Sequence, residues 1–399
     1  MDLSYGPEYT AFRSQVQVFL REHGGRAPKG GAGVAAGKAS SALLDWQKLL
    51  IEHGYAARSI PKAYGGHGGD ADILKRVIID EEFNAAGVSR GIGGQGPEML
   101  VPTLLEHGSD GQKQRWIGPT IRGEVVWCQG YSEPGAGSDL ANVQTRAVED
   151  GSDFLISGQK IWTTTAHLAQ MMFGLIRTEP GAGKHGGLSY LLIPMDTPGI
   201  EVRPLATMTG EAEFNEVFFD RARVPQANVV GRRGEGWKIA NTTLFHERNM
   251  LASTAVLDGA LRSLVKLMQR ESSGGIRAID SPVLRDRLLR LEGRVLAMKY
   301  HGMRMLTARL AGKSPGVAAL VTKLAGCELS HQLNALGLDA MGELGALYEG
   351  SAHERDHGRW QSQYMFTLGL IIGGGTAQIQ KNIISERGLG LPREPRPQA

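Results

Sequence analysis

CQGYSEPGAGSDLA, residues Cys128–Ala141, and GQKIWTTTAH, residues Gly158–His167, lie where the apolar period of this chain changes. Around and after them, DFLISGQKIWTTT, QMMFGLIRT, GLSYLLIPM, GIEVRPL and FNEVFFDRARVP are short runs rich in β-branched or aromatic residues, separated by Gly, Pro and Asp. Such runs predict the strands of a compact β domain. On both sides the spacing is helical. Phe12, Val16, Phe19 and Leu20, then Leu43, Leu44, Trp46, Leu49 and Leu50, mark helices before the β region. Trp237–Glu271, Val283–Leu310, Val317–Leu338 and a last stretch around Thr376–Arg387 predict helices after it. The expected fold class is therefore mainly α with a central β domain, divided 1–124, 125–235 and 236–399. GGRAPKGGAGVAAGKAS, Gly24–Ser40, is read as a flexible surface loop.

Composition narrows the function classes. A chain of 399 residues, 41% hydrophobic and 21% charged, can bury a large core. Its 44 basic and 41 acidic residues form no basic block, so a nucleic-acid partner is not expected. The N-terminal MDLSYGPEYTAFRSQVQVFL lacks an apolar signal core. No apolar run reaches the roughly 18 residues of a membrane span, so a cytoplasmic location is expected. Cys128 and Cys327 are far apart and suit small buried hydrophobes in a reducing compartment rather than a zinc site.

Read from its residues, the first motif is a tight turn that can also bind. Gly135 and Gly137 permit close approach of a flat or phosphorylated ligand, and Ser132, Ser138 and nearby backbone N–H groups can donate to it. In the second, the Trp162 indole beside hydroxyls can flank a planar ring, with Thr164 bonding a heteroatom at its edge; equally, a strand Trp can be core.

The two motifs together, in a β domain between helical domains and followed by GGTAQIQKNIISERGLGLP (Gly374–Pro392), resemble the acyl-CoA dehydrogenase family over nearly the whole chain. The resemblance implies an N-terminal helical domain, a middle β-barrel domain and a C-terminal four-helix bundle. It implies an FAD-dependent enzyme that makes an enoyl-CoA from an acyl-CoA, tetrameric, with an electron-transfer flavoprotein as electron acceptor. Flavin contacts then map to Gln129, Tyr131, Ser132, Gly137 and Ser138, to Trp162 and Thr164 against the ring, and to Thr376 and Gln378. Ser138 would also lie beside the pantetheine phosphate of the substrate.

Dehydrogenation beside a thioester requires a base for the α-proton. Many members of the family place a glutamate immediately before the Gly-Thr of the C-terminal motif, where this chain has Gly374 in IIGGGTAQIQ. Another branch, which includes enzymes for long or branched chains, places it in a Glu-Arg pair on the first long C-terminal helix; Glu247 and Arg248 of LFHERNML match that pair. Glu247 has Thr243, Met250 and Leu251 at helical spacing, which predicts a half-buried carboxylate. Gly374 keeps a backbone N–H able to bond the thioester carbonyl. Arg248 either faces coenzyme A or pairs with a surface acid, and His246 is read as structural.

Two segments depart from the pattern. Where homotetrameric members reach a neighbour's FAD with an Arg-x-x-Phe pair and a Gln-x-x-Gly-Gly turn, this chain has RESSGG, keeping Arg270 but placing Ser273 for the aromatic, and DAMGELG, with Asp339 and Glu343. An acid near a pyrophosphate is unfavourable. The expectation is an α2β2 heterotetramer with a second, similar chain, the alternative being a homotetramer with substituted contacts, acting on a bulky, branched or steroid side-chain acyl-CoA in lipid or steroid catabolism. A flavin oxidase or monooxygenase on the same fold, and a non-catalytic subunit, stay open as alternatives.

Overall fold

The computed structural model describes residues 6–28, 39–251, 254–313, 316–348 and 350–393, with side chains undescribed at 248–251, 254, 255, 273 and 317. Most of Gly24–Ser40 lies outside the described residues. The chain divides into two compact units, Met1–Glu247 and Arg248–Ala399.

The first unit opens with helices α1 (Pro7–His23), α2 (Ser41–Glu52), α3 (Ile73–Ala86), α4 (Val101–His107) and α5 (Asp110–Ile121). Side chains cap the starts of α2 and α3: Ser40 accepts from the Leu43 N–H, and Asp72 from those of Leu74 and Lys75. The spaced residues Phe12, Val16, Phe19, Leu20, Trp46 and Leu50 are buried together with Ile78, Ile79 and Phe83. Ser109 and Gln112 form a capping box on α5. The Gln112 amide also donates to the carbonyls of Ala227 and Val229, which ties this helix to the β region.

That region is one mixed sheet: β1 (Trp127–Gly130), β2 (Arg146–Asp150), β3 (Asp153–Lys160), β4 (Met171–Arg177), β5 (Leu188–Pro194), β6 (Ile200–Leu205), β7 (Phe214–Pro225) and β8 (Val229–Val230), with the short helix α6 (Gly183–Gly186) before β5. The strand path is β6-β7-β3-β2-β4-β5-β8, with β1 parallel to β4 off that path. A register shift between Ile156 and Gly158 bends β3 against the long β7. All five expected strand runs are present; β1 and β2, four and five residues long, carried too short a pattern to be read. Phe154, Ile156, Met172, Ile176, Leu191, Ile193, Val217 and Val224 fill its core.

Helix α7 (Gly236–Leu251) follows the sheet, and the run read as one helix to Glu271 resumes as α8 (Thr254–Arg270). In the second unit come the hairpin β9 (Ser272–Ser273) and β10 (Ile276–Arg277), then α9 (Pro282–Leu310), α10 (Val317–Met341), α11 (Arg359–Ile372) and α12 (Ala377–Ile383). Helix α10 packs against α8, α9 and α11. Leu257, Leu261, Leu264, Leu267 and Met268 of α8 recur at helical spacing and meet Leu288, Leu291, Leu329, Leu333, Leu336 and Trp360 in one core. No described helix is long and apolar enough to cross a membrane.

Candidate active site

Strand β1 ends at Gly130 and β3 at Lys160, so the two motifs leave adjacent parts of one sheet. They are joined directly: the Ile161 N–H donates to the Ser132 carbonyl at 2.9 Å. A buried ion pair that sequence reading missed reinforces the junction. Lys160, 0% exposed, donates to Glu133 Oε1 at 2.8 Å and to the carbonyls of Tyr131 (3.1 Å) and Leu175 (2.8 Å). Glu133 in turn accepts from the backbone N–H groups of Gln144 and Thr145. Lysine beside the core and glutamate inside the turn were both visible in the motifs; their pairing across 27 positions was not. Burial pushes the Lys160 ammonium down to about 8, so it stays charged at neutral pH. The Glu133 carboxyl lies below its ordinary value: burial acts to raise it, but the Lys160 charge and its hydrogen bonds outweigh that.

The turn between Glu133 and Ala136 is closed by reciprocal backbone bonds. Side-chain-sized volume above Gly135 and Gly137 is open, and Ser138 is exposed. Trp162 is not core. Its indole is 58% exposed, and its φ of +59° lies in the left-handed region, which a large side chain rarely adopts. Bonds on its C-terminal side impose this: Thr163 and Asn215 exchange backbone and amide bonds, and the Thr165 N–H donates to the Glu213 carbonyl at 2.7 Å. Phe214 packs edge-on against the indole, and Thr164 is half-exposed beside it. A fixed, flat, solvent-facing indole next to an open glycine turn fits a flavin ring and its phosphates.

Tyr131 differs from its expected role in one respect. Its ring is 4% exposed and packs edge-on against Phe173 and Tyr190, so its side chain serves the core. Burial first, and the nearby Tyr190 and Glu247, drive its phenol far above its ordinary value. Its hydroxyl neighbours Thr243, which exchanges a bond with Thr103 at 2.9 Å.

Glu247 is half-buried on α7, one turn beyond the fully buried Thr243. Gln129 of β1 donates its amide to Glu247 Oε2 at 3.3 Å. This is the contact that links the first motif to the carboxylate. His246 is half-buried beside Phe245, and burial lowers its pKa. The Arg248 side chain lies outside the described residues.

In the second unit, Gly374 is half-buried with φ +64°. Thr376 caps α12 by accepting from the Ile379 N–H at 3.1 Å and retains its own O–H to donate. Gln378 is exposed. Arg270 grips Asp356 with both terminal nitrogens, at 2.9 and 3.1 Å, and Glu271 through Nε at 2.8 Å, which raises its pKa further. Asp339 pairs with Arg287 at 2.6 Å. The Ser273 side chain lies outside the described residues. Among the described residues no group of three or more His, Cys, Asp or Glu could hold a metal.

Models of known families match the chain almost end to end: the acyl-CoA dehydrogenase N-terminal domain at residues 6–124, the middle domain at 128–222 and the C-terminal domain at 234–389. The acyl-CoA dehydrogenase IpdE1 of Mycobacterium tuberculosis is 40% identical over 391 residues, 96% of this chain and 98% of that protein. The ChsE4-ChsE5 complex from Mycobacterium tuberculosis is similar in structure, with TM-score 0.80 and 31% identity over 99% of this chain and 100% of that one. The Tcur3481-Tcur3483 steroid acyl-CoA dehydrogenase is similar with TM-score 0.81 and 27% identity, again covering 99% and 100%. With its site motifs joined as described and its full length matched, the chain belongs to the acyl-CoA dehydrogenase family, flavin-dependent oxidoreductases of acyl-CoA thioesters.

Proposed function

We propose that the chain converts an acyl-CoA to its trans-2-enoyl-CoA with Glu247 as the base. The observation that carries this reading is the Gln129–Glu247 contact: a half-buried carboxylate is tethered to the strand that enters the flavin-binding turn, while the usual base position holds Gly374. Glu247 takes the α-proton onto a carboxylate oxygen, and the Gly374 N–H donates to the thioester carbonyl, where negative charge accumulates. Bound FAD would supply the acceptor for the β-hydride. Gln129, Ser132, Gly137, Ser138, Trp162, Thr164, Thr376 and Gln378 are the residues that would hold it, with Tyr131 contributing backbone only. Ser138 and Arg248 would meet coenzyme A. Anaerobic mixing with acyl-CoA esters tests the activity: a dehydrogenase bleaches the flavin and releases an enoyl-CoA, whereas a monooxygenase or a non-catalytic subunit does neither.

Gln129 positions the base in this reading. Gln129→Leu removes the side-chain amide and leaves the Gln129 backbone in place for the flavin; KM is expected to stay nearly unchanged while kcat falls about tenfold, the scale of one hydrogen bond to a charged group. An unchanged kcat, or a loss confined to KM, would remove Gln129 from this role.

The substrate is a bulky, branched or steroid side-chain acyl-CoA, supported by the relocated base and by similarity to a steroid acyl-CoA dehydrogenase. Bleaching rates across straight, branched and sterol side-chain CoA esters rank these directly. An electron-transfer flavoprotein is the proposed acceptor, and the proposed assembly is α2β2 with a second chain of the same family. Asp356 and Glu271 engage three of the five N–H donors of Arg270, and Asp339 and the exposed Glu343 stand in the segment that resembles the neighbour-reaching turn of homotetrameric members. The similar ChsE4-ChsE5 structure is itself a complex. Purified alone, the chain is expected to bind substoichiometric FAD; a stable homotetramer with one FAD per chain would refute the heteromer.

A further inference from the structure

The second unit contains a buried lysine with no place in the reaction so far. Lys323, on α10, is 2% exposed. Burying an ammonium is costly unless it is bonded. Its Nζ donates to the Ile371 carbonyl at 3.2 Å and the Gly375 carbonyl at 2.6 Å. Ile371 lies in the last turn of α11, where unsatisfied carbonyls attract a cation. Both acceptors flank the turn that carries Gly374.

That turn needs external restraint. Gly374 and Gly375 have φ of +64° and +96°, and with neither bearing a Cβ the unrestrained chain samples many other conformations. The peptide unit bearing the Gly374 N–H lies between two units that are fixed. On one side the Gly373 N–H donates to the Gly369 carbonyl at 2.7 Å. On the other, the Gly374 carbonyl accepts from Gln380 Nε2 at 3.3 Å, and Lys323 holds the Gly375 carbonyl beyond it. Gln380 is 0% exposed, and a Cβ at Gly375 would come within 2.5 Å of its Nε2, so the glycine is required for the amide to reach.

We infer that Lys323, together with Gln380, is a positioning residue that aims the Gly374 N–H for polarising a thioester carbonyl. The inference rests on the proposed role of Gly374. A donor displaced by about 1 Å from the position the oxyanion will occupy can cost on the order of 100-fold in rate.

The test uses the holoenzyme and crotonyl-CoA as probe, reading the carbonyl stretch of the bound thioester by difference infrared spectroscopy, together with flavin content and kinetics. The native enzyme is expected to shift the stretch to lower frequency. Lys323→Met is expected to retain flavin, lose most of that shift and lose kcat about ten- to hundredfold with KM within about twofold. Lys323→Arg, which restores a charged donor, is expected to recover part of the shift. If Lys323→Met does not fold, Gln380→Leu removes the other pin and is read in the same way. A folded variant with an undiminished shift overturns the inference. No shift in the native enzyme would instead refute the role of Gly374, leaving the two failures distinct.

Discussion

Glu247→Gln is expected to leave the flavin bound and slow the reductive half-reaction by about 10³–10⁴-fold. The amide is nearly isosteric, so the Gln129 side chain and the α7 backbone keep their places, but it cannot accept the α-proton. General-base catalysis contributes about 10²–10⁴-fold, and the upper part of that range applies because the α-proton of a thioester is a very weak acid. Stopped-flow bleaching under anaerobic conditions measures the rate, and the absorbance spectrum before mixing measures the retained flavin. Bleaching within about tenfold of the native rate would place the base elsewhere. The effect should lie in kcat, since the ground-state thioester has little to gain from the carboxylate.

This prediction begins from a glycine, and sequence could take it that far because the absence at Gly374 and the presence at Glu247 are both local facts. The helical spacing of Glu247 to Thr243 also gave its half-burial correctly, since i and i+4 share a face. The strand runs were legible for a similar reason: nearly every residue of β4 and β5 is buried, so each reads as a continuous apolar segment. What stayed hidden is pairwise and distant. Gln129 meets Glu247 across 118 positions, and Lys323 meets Gly375 across 52, and neither polar residue differs in sequence from a solvated one. Trp162 illustrates the limit best. Its residue type suits a core, and only the left-handed backbone imposed by Thr163, Asn215 and Thr165 turns the indole outward. Helix α11 escaped notice because its apolar residues crowd without a clean period.

The largest stability effect is expected at the other buried lysine. Lys160→Met removes one partner of an enclosed ion pair and leaves Glu133 as an uncompensated buried charge. The Tyr131 and Leu175 carbonyls lose their donor as well. Breaking such a pair costs about 3–5 kcal/mol, which corresponds to a fall of about 10 °C in the unfolding midpoint. Because the pair sits under the glycine turn, flavin retention should fall with it. Adding Glu133→Met relieves the stranded charge yet restores only part of the loss, since the Gln144 and Thr145 N–H groups then lack their acceptor. The pair also sets a pH response. Glu133 has a folded-state pKa below its ordinary 4.5, so its contribution is complete above that value and disappears as pH falls through the lower, folded value. Acidification below 4.5 should therefore destabilise the native protein more steeply than a Glu133→Gln variant, which has no carboxylate there to protonate. Thermal unfolding followed across this range, with flavin release recorded in parallel, measures both slopes. Equal slopes, or a Lys160→Met midpoint within about 2 °C of the native protein, would show that the turn is held by its backbone bonds and not by the charge beneath it.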